Sequence, residues 1–192
     1  MNMENFLWFD LETTGTDPVK NGIIQIAAVI ERGGEIVDTF ESLVNPGGKE
    51  IDDDALSVNN HTREMLFAYR CREAVYAEFN VFLDKHGFRL DKSRRYIPAG
   101  YNVGFDLDFL KQFFLEMSGG PFEFWGHLQY KPLDPYPVIV WLWRQGVLDM
   151  PDCKLSTVAA YLGVEYKAHD ALSDILTARV VSQEIRKRFF KC

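Results

Sequence analysis

Two carboxylates follow an apolar, aromatic run near the start of the chain, in the segment FLWFDLETTG of residues 6–15. The run is typical of a buried strand. Side chains in a strand alternate between its faces, so Asp10 and Glu12 point the same way. Two buried carboxylates on one face repel each other unless protons, basic groups or bound cations neutralise them. Further carboxylates that could complete a metal site with this pair therefore become the main candidates for function.

The bulk composition is that of an ordinary globular domain. The chain has 192 residues, of which 47% are hydrophobic and 26% are charged, enough for one domain with a substantial core. No apolar run reaches the roughly 18 residues of a membrane helix, and the N-terminus lacks the pattern of a secretion signal. Three unevenly spaced cysteines fit free thiols in a reducing compartment. We expect a single domain over residues 1–192, cytoplasmic and without membrane contact.

The net charge of −7 restricts how the chain can meet nucleic acid. Proteins that bind phosphate backbones over a broad surface are usually basic, so the charge argues against such a surface. It does not exclude a metal-dependent nuclease, because two divalent cations would offset four of these negative charges.

Hydrophobic periodicity predicts a meander of three strands followed by alternating strands and helices. Strands are expected at residues 6–11, 23–30, 35–44, 95–101 and 131–134. Helices are expected at residues 62–69, 72–86, 105–117, 136–145, 154–162 and 169–190, with Thr62 as N-cap of the first. This order predicts an α/β fold in which a mixed five-stranded sheet is flanked by helices.

Two later segments supply more candidate ligands. Asp106 opens a predicted helix directly after a short strand, the place where α/β sheets build their sites. The segment HDALSD places His169 before the last helix, Asp170 as its candidate N-cap and Asp174 about one turn inside. Taken singly, each has an ordinary explanation as a helix cap or a first-turn acid. Their joint occurrence with the first pair favours one shared site.

Three segments, FDLETTG, YNVGFDLDFL and HDALSD, resemble the three exonuclease motifs of the DEDD superfamily, in its DnaQ-like DEDDh branch, in order and approximate spacing. The resemblance runs from Phe6 to about Arg188. It implies a ribonuclease-H-like fold and hydrolytic release of nucleoside 5′-monophosphates from 3′ ends. It also implies a general base at His169 and two Mg²⁺ ions, for which Mn²⁺ can substitute. The four carboxylates implied as metal ligands are Asp10, Glu12, Asp106 and Asp174.

The resemblance also implies a set of substrate contacts. The amides of Thr13 and Thr14 are expected to fix the 3′ terminus, with Gly15 allowing close approach. Residues 51–62 resemble the loop of the family that contacts the terminal nucleotide. The remaining positions implied to bind substrate are Leu56, Val58, Asn59, Asn102 and Phe105.

The chain departs from the pattern of the family at two places beside these contacts. Asn59-Asn60 stands where the family often has His or a His-Gly pair. Tyr101 occupies a position where His is frequent.

Together these features predict a Mg²⁺-dependent 3′–5′ exonuclease that acts on single-stranded or frayed ends, with DNA favoured over RNA. Proofreading beside a polymerase is compatible with these features, but the chain's ending soon after its last helix favours a free-standing role in repair, recombination or RNA trimming. Two alternatives stay open. One is a phosphodiesterase for dinucleotides or short oligonucleotides, and the other is a non-catalytic nucleic-acid-binding module on the same fold. The oligomeric state is left open.

Overall fold

The computed structural model describes residues 4–87, 91–120, 122–166 and 171–190. Within them, four strands form one sheet: β1 (Asn5–Thr13), β2 (Ile23–Arg32), β3 (Glu35–Leu43) and β4 (Ile97–Ala99). They lie in the order β3-β2-β1-β4. The pairs β1–β2 and β2–β3 are antiparallel, and β1–β4 is parallel. The predicted α/β class and mixed sheet are confirmed, and β1 lies inside the sheet with a partner on each side.

The predicted count of five strands is wrong for the residues that the structure describes. The segment 131–134 contributes a single parallel bridge between Leu133 and Ala99 rather than a continuous ladder. Pro132 and Pro135 flank the bridging residue, and a proline has no backbone N–H to donate to a neighbouring strand. The segment therefore lies along β4 without extending the sheet by a full strand.

Helices account for much of the remaining described chain. They are α1 (Asp53–Val58), α2 (Arg63–Leu66), α3 (Arg72–His86), α4 (Gly104–Ser118), α5 (Phe122–His127), α6 (Tyr136–Arg144), α7 (Leu155–Leu162) and α8 (Ala171–Phe189). None of these described helices has the length and apolar character needed to span a bilayer. The predicted helices are confirmed for α3, α4, α6 and α7, and for the described part of α8.

The short helices differ most from what the sequence pattern predicts. Helices α1 and α5 have six residues each and were not predicted, because so few residues carry little periodicity. Helix α2 is shorter than the predicted 62–69, although Thr62 is confirmed as its N-cap by a bond from the Met65 N–H. The predicted helix start at residues 169–170 lies outside the described residues.

Helices pack against both faces of the sheet. The odd-numbered side chains of residues 7–11 in β1 join a core with α3 and α4. On the opposite face, Trp8 packs in a cluster with Ile175 of α8. Because alternate residues of a strand share a face, Asp10 and Glu12 lie on the face that α8 covers. The acidic pair therefore faces the helix that carries Asp174.

A buried ion pair fixes α8 against this face. Nε of Arg179 donates to Oε2 of Glu31 at 2.7 Å, and Nε1 of Trp8 donates to the same oxygen at 2.9 Å. Arg179 also donates through Nη2 to the Gly34 carbonyl at 2.6 Å. The Arg179 and Glu31 side chains are only 15% and 9% exposed. These bonds link α8 to β1 and β2, and so help to set where its first turn stands relative to the acidic pair.

Candidate active site

Three elements place four carboxylates near the C-terminal end of β1. Asp10 and Glu12 are successive same-face residues of that strand. Asp106 lies in the first turn of α4, and Asp174 lies in the first turn of α8. The negative charges of the other three all act on Asp10, so the four side chains that the motifs singled out share one electrostatic environment.

One hydrogen bond joins α4 directly to β1. The Leu11 N–H donates to Oδ1 of Asp106 at 3.0 Å, across 95 residues of sequence. Asp106 is only 6% exposed. Leu11 lies between Asp10 and Glu12, so this bond holds the third carboxylate beside the first two. Gly100 allows the segment before α4 to lie close to β1, because a Cβ there would stand 3.1 Å from the carbonyl oxygen of Phe9.

Burial and mutual repulsion raise the pKa values of Asp10, Glu12 and Asp106. Burial raises the pKa of Asp10 well above its ordinary value, and the charges of Asp106 and Glu12 raise it further. Burial and the charge of Asp174 raise the pKa of Glu12 to about 7. Burial raises the pKa of Asp106 to about 8, although backbone N–H groups lower it in part. The charged form of this cluster is costly unless a positive charge offsets it.

The donor set fits a hard divalent cation. It consists of carboxylate oxygens, which Mg²⁺ and related ions prefer. Over residues 4–87, 91–120, 122–166 and 171–190, no three His, Cys, Asp or Glu side chains are already drawn together as a metal site. Binding would therefore require the carboxylates of Asp10, Glu12, Asp106 and Asp174 to close on the ion.

Tyr166 is a neighbour of the cluster that sequence reasoning missed. Burial raises the pKa of its hydroxyl, and so do the charge of Asp174 and a hydrogen bond to that side chain. The charges of Asp10 and Glu12 act in the same direction. A tyrosine outside every motif carries no signal in a single sequence, apart from lying three residues before His169. His169 and Asp170 lie outside the described residues, and the role of His169 stays a prediction.

Thr14 has a different position from the one expected. Thr14 is fully buried, and its N–H donates to the Gly22 carbonyl at 2.9 Å instead of facing outward. Its hydroxyl donates to the Glu50 carbonyl at 2.6 Å. Thr13 is 5% exposed. Gly15 is needed by the fold itself, because a Cβ there would lie 2.5 Å from the Asn21 side chain.

The donors of Thr14 are therefore used inside the protein, and this segment shapes the end of β1. The expectation that the Thr14 amide fixes the 3′ terminus does not agree with this arrangement.

The loop after α1 reaches the same end of β1. Leu56 is 3% exposed and packs in a small core cluster, whereas Val58 is 63% exposed. Nδ2 of Asn59 donates to the Thr13 carbonyl at 3.0 Å. Asn60 adopts a left-handed φ of 58°, a conformation that glycine adopts without strain. This chain therefore keeps a glycine-like backbone where the family often has a His-Gly pair, and it uses Asn59 to hold the loop to the strand.

Two expected substrate positions are accessible beside Asp106. Asn102 is exposed with a left-handed φ of 59°. Phe105 is 36% exposed, and its ring rests against Phe109 at a centroid distance of 4.9 Å. Tyr101 is tied into the fold, since its hydroxyl donates to the Cys153 carbonyl at 2.5 Å. Asn102 and Phe105 thus retain surface for a ligand, while Tyr101 has a structural partner.

Comparison with known proteins assigns this chain to one class. The exonuclease family described as RNase_T matches residues 7–180. The PolC-type DNA polymerase III of Thermotoga maritima is 32% identical over 179 residues, which are 93% of this chain and 11% of the polymerase. The corresponding polymerase of Clostridium perfringens is 27% identical over 188 residues, 98% of this chain and 11% of the polymerase.

Solved structures show the same fold. Exonuclease I of E. coli in complex with a dT13 oligonucleotide matches with a TM-score of 0.79 at 20% identity, covering 96% of this chain and 41% of that chain. The chain thus spans about a tenth of the polymerases and about two fifths of exonuclease I.

The protein belongs to the RNase T-type exonuclease family, within the DnaQ-like DEDD superfamily. The resemblance predicted from the three motifs is confirmed, as is the assignment to the 3′–5′ exonuclease class of phosphodiester hydrolases. Enzymes of this family depend on divalent metal ions.

Proposed function

We propose that residues 1–192 act as a single exonuclease domain that removes nucleoside 5′-monophosphates from the 3′ end of single-stranded or frayed DNA. The observation that carries the proposal is the bond from the Leu11 N–H to Asp106, because it holds a helix-borne carboxylate beside Asp10 and Glu12. The charge of Asp174, on α8, acts on both Asp10 and Glu12. A cluster of like charges with raised pKa values is expected where a site is built for cations.

Four side chains would hold the metal: Asp10, Glu12, Asp106 and Asp174. When bound, a pair of Mg²⁺ or Mn²⁺ ions supplies charge stabilisation for the attacking and leaving oxygens of an in-line displacement. We assign His169 as general base on its motif position, because an imidazole titrates near neutral pH. Val58, Asn102 and Phe105 expose surface near the site and are the side chains we propose to contact the terminal nucleotides.

The preference for DNA rests on the relatives. The matching polymerases are DNA polymerases, and the exonuclease I structure holds a dT13 oligonucleotide. Single-stranded DNA also suits a site at the end of β1, because the 3′ terminus of one DNA strand has to enter it. RNA differs at the 2′-hydroxyl, so the choice depends on a contact near the terminal sugar.

The decisive experiment is a time course on 5′-labelled oligonucleotides with Mg²⁺ or EDTA. Single-stranded DNA, the same RNA sequence and a blunt duplex are compared. We expect a ladder that shortens from the 3′ end, fastest on single-stranded DNA and absent in EDTA. Asp10→Ala should abolish it, while Asp91→Ala, which alters an exposed acid at a distant 3-10 turn, should not. Cleavage in EDTA, or full activity of Asp10→Ala, would overturn the proposal.

A dinucleotide phosphodiesterase is the second candidate, and the net charge of −7 favours it. An acidic protein gains little binding affinity from contacts with a long phosphate backbone. Comparing rates on dinucleotides and on strands of increasing length separates the two functions. A rate that is highest on dinucleotides and falls with length would replace the exonuclease proposal.

A further inference from the structure

The carboxylate of Asp134 binds three backbone N–H groups from two helix starts. Oδ1 accepts from Asn102 at 3.0 Å and from Tyr136 at 2.9 Å, and Oδ2 accepts from Val103 at 3.1 Å. Asn102 and Val103 directly precede α4, and Tyr136 begins α6. One side chain therefore joins the N-terminal ends of both helices.

The start of α4 needs such a partner. The first N–H groups of a helix have no acceptor within the helix, and a carboxylate is the most favourable group to place there. Val103, at the N-cap position of α4, provides no capping side chain of its own. Asn102 has a left-handed φ of 59°, which costs free energy unless the surroundings hold it. Asp134 supplies both the acceptors and the restraint.

Asp134 is itself held in place by the edge of the sheet. The Leu133 N–H donates to the Pro98 carbonyl at 2.8 Å, and the Gly100 N–H donates to the Leu133 carbonyl at 3.3 Å. These bonds fix the residue before Asp134 against the end of β4. The carboxylate thus projects from backbone that is anchored to the sheet, not from a free loop.

The turn that Asp134 holds leads to Asp106. Asp106 lies three residues after Val103, and its carboxylate accepts the Leu11 N–H at 3.0 Å. A rotation or shift of the first turn of α4 would move that carboxylate relative to Asp10. The chain of contacts runs from the sheet edge through Asp134 to the start of α4, and from there back to β1.

We propose that Asp134 is a positioning residue for the metal ligand Asp106, acting through the turn before α4 without touching metal or substrate. The inference rests on the proposed function, since it takes Asp106 to be a ligand. A capping role confined to α6 would instead leave Asp106 unaffected.

The test uses Asp134→Ala and Asp134→Asn, with Asp91→Ala as matched control. Asp91 also caps a helical turn, accepting the Ser93 N–H at 2.9 Å, but at the opposite end of β4. Three quantities are measured: Mn²⁺ affinity without substrate, from the electron paramagnetic resonance signal of free Mn²⁺; kcat and KM on single-stranded DNA; and the melting temperature. The Asn variant retains one acceptor oxygen, so the inference can still be tested if the Ala variant does not fold.

We expect Asp134→Ala to weaken Mn²⁺ binding and lower kcat by about tenfold or more, as for other residues that orient metal ligands. KM for DNA should rise less than kcat falls, because Asp134 also holds Asn102, a proposed substrate contact. Asp134→Asn should fall between wild type and Asp134→Ala, and Asp91→Ala should keep both Mn²⁺ affinity and kcat.

Two results would overturn the inference. One is that both Asp134 variants lose thermal stability but keep Mn²⁺ affinity and kcat within twofold of wild type, which would make Asp134 a structural cap. The other is that wild-type protein itself neither binds Mn²⁺ nor cleaves DNA, which would reject the proposed function along with it. Because wild type is measured first, the two failures are distinguishable.

Discussion

Leu11 donates its backbone N–H to Asp106 at 3.0 Å, and it does so from between the two acidic residues of β1. A single hydrogen bond thus relates a helix-borne carboxylate to both Asp10 and Glu12. An asparagine side chain would keep an oxygen for this bond but lose the charge. Geometry and charge at position 106 can therefore be separated by one substitution.

Asp106→Asn should lower kcat on single-stranded DNA by at least about 10²-fold, because stabilisation of transition-state charge by a metal is worth several kcal/mol. The variant should fold, since the bond to Leu11 is retained. Asp108→Asn, at an exposed position of the same helix, should keep its activity. Steady-state kinetics check the prediction, and a fully active Asp106→Asn would contradict it.

Metal-free protein should become less stable as pH rises through neutrality. A carboxyl whose pKa is raised by folding contributes stability below its unfolded value, near 4, and loses it as pH rises through the folded value. The folded values are about 7 for Glu12 and about 8 for Asp106. In EDTA, the melting temperature of Asp106→Asn should therefore exceed that of wild type by a margin that grows from pH 5 to pH 8.

Thermal melts at a series of pH values measure this margin. Added Mg²⁺ should raise the melting temperature of wild type at pH 8 more than that of Asp106→Asn. A margin that shrinks with rising pH would show that the carboxyl cluster does not cause the loss of stability.

Asn59→Ala should weaken binding of the DNA end by detaching the loop after α1 from β1. The lost bond from Nδ2 to the Thr13 carbonyl is worth about 1 kcal/mol. We expect KM to rise roughly fivefold while kcat changes less. Asn59→Asp removes the same donor and should behave alike, and an unchanged KM in both variants would reject a role for this bond.

Asn60 should tolerate glycine better than alanine. Its φ of 58° lies in the left-handed region, where a Cβ is unfavourable. Asn60→Gly should leave the free energy of unfolding unchanged or higher, whereas Asn60→Ala should lower it by about 1 kcal/mol. Urea denaturation of both variants provides the measurement, and equal stability would contradict the backbone assignment.

Arg179→Ala should destabilise the protein by about 3 kcal/mol, because it leaves the buried Glu31 carboxylate without its charged partner. Lys187→Ala is the control on the same helix. Its ion pair with Glu184 has a lysine side chain that is 76% exposed, and it should contribute less than about 1 kcal/mol. Chemical denaturation distinguishes the two, and similar losses would mean that Arg179 does not anchor α8.

Much of the architecture was predictable because local pattern determined it. The alternation in residues 6–11 predicts a strand with Asp10 and Glu12 on one face, and β1 has that form. Longer helices such as α3 and α4 repeat their apolar residues over enough turns to be recognised. Helices of six residues, and a segment such as 131–134 that prolines limit to one bridge, do not carry a comparable signal.

The candidate site was predictable to a different extent. The motifs identified four acidic residues, and in the structure the charges of Asp106, Glu12 and Asp174 all raise the pKa of Asp10. Thr14 was expected to present its amide to the substrate, yet that amide is bonded to Gly22. Nothing in the order of residues 13–15 distinguishes an outward amide from a buried one, because its partner belongs to a neighbouring part of the fold.

The family and the chemical identity of the acidic residues follow from the sequence, since both depend on residue type and spacing along the chain. The backbone groups that hold those residues are set by the folded arrangement. Asp134 reaches the start of α4 across 31 residues, and Asp106 reaches Leu11 across 95. Such bonds form between segments that the packing of helices on the sheet brings together, and no local pattern records them.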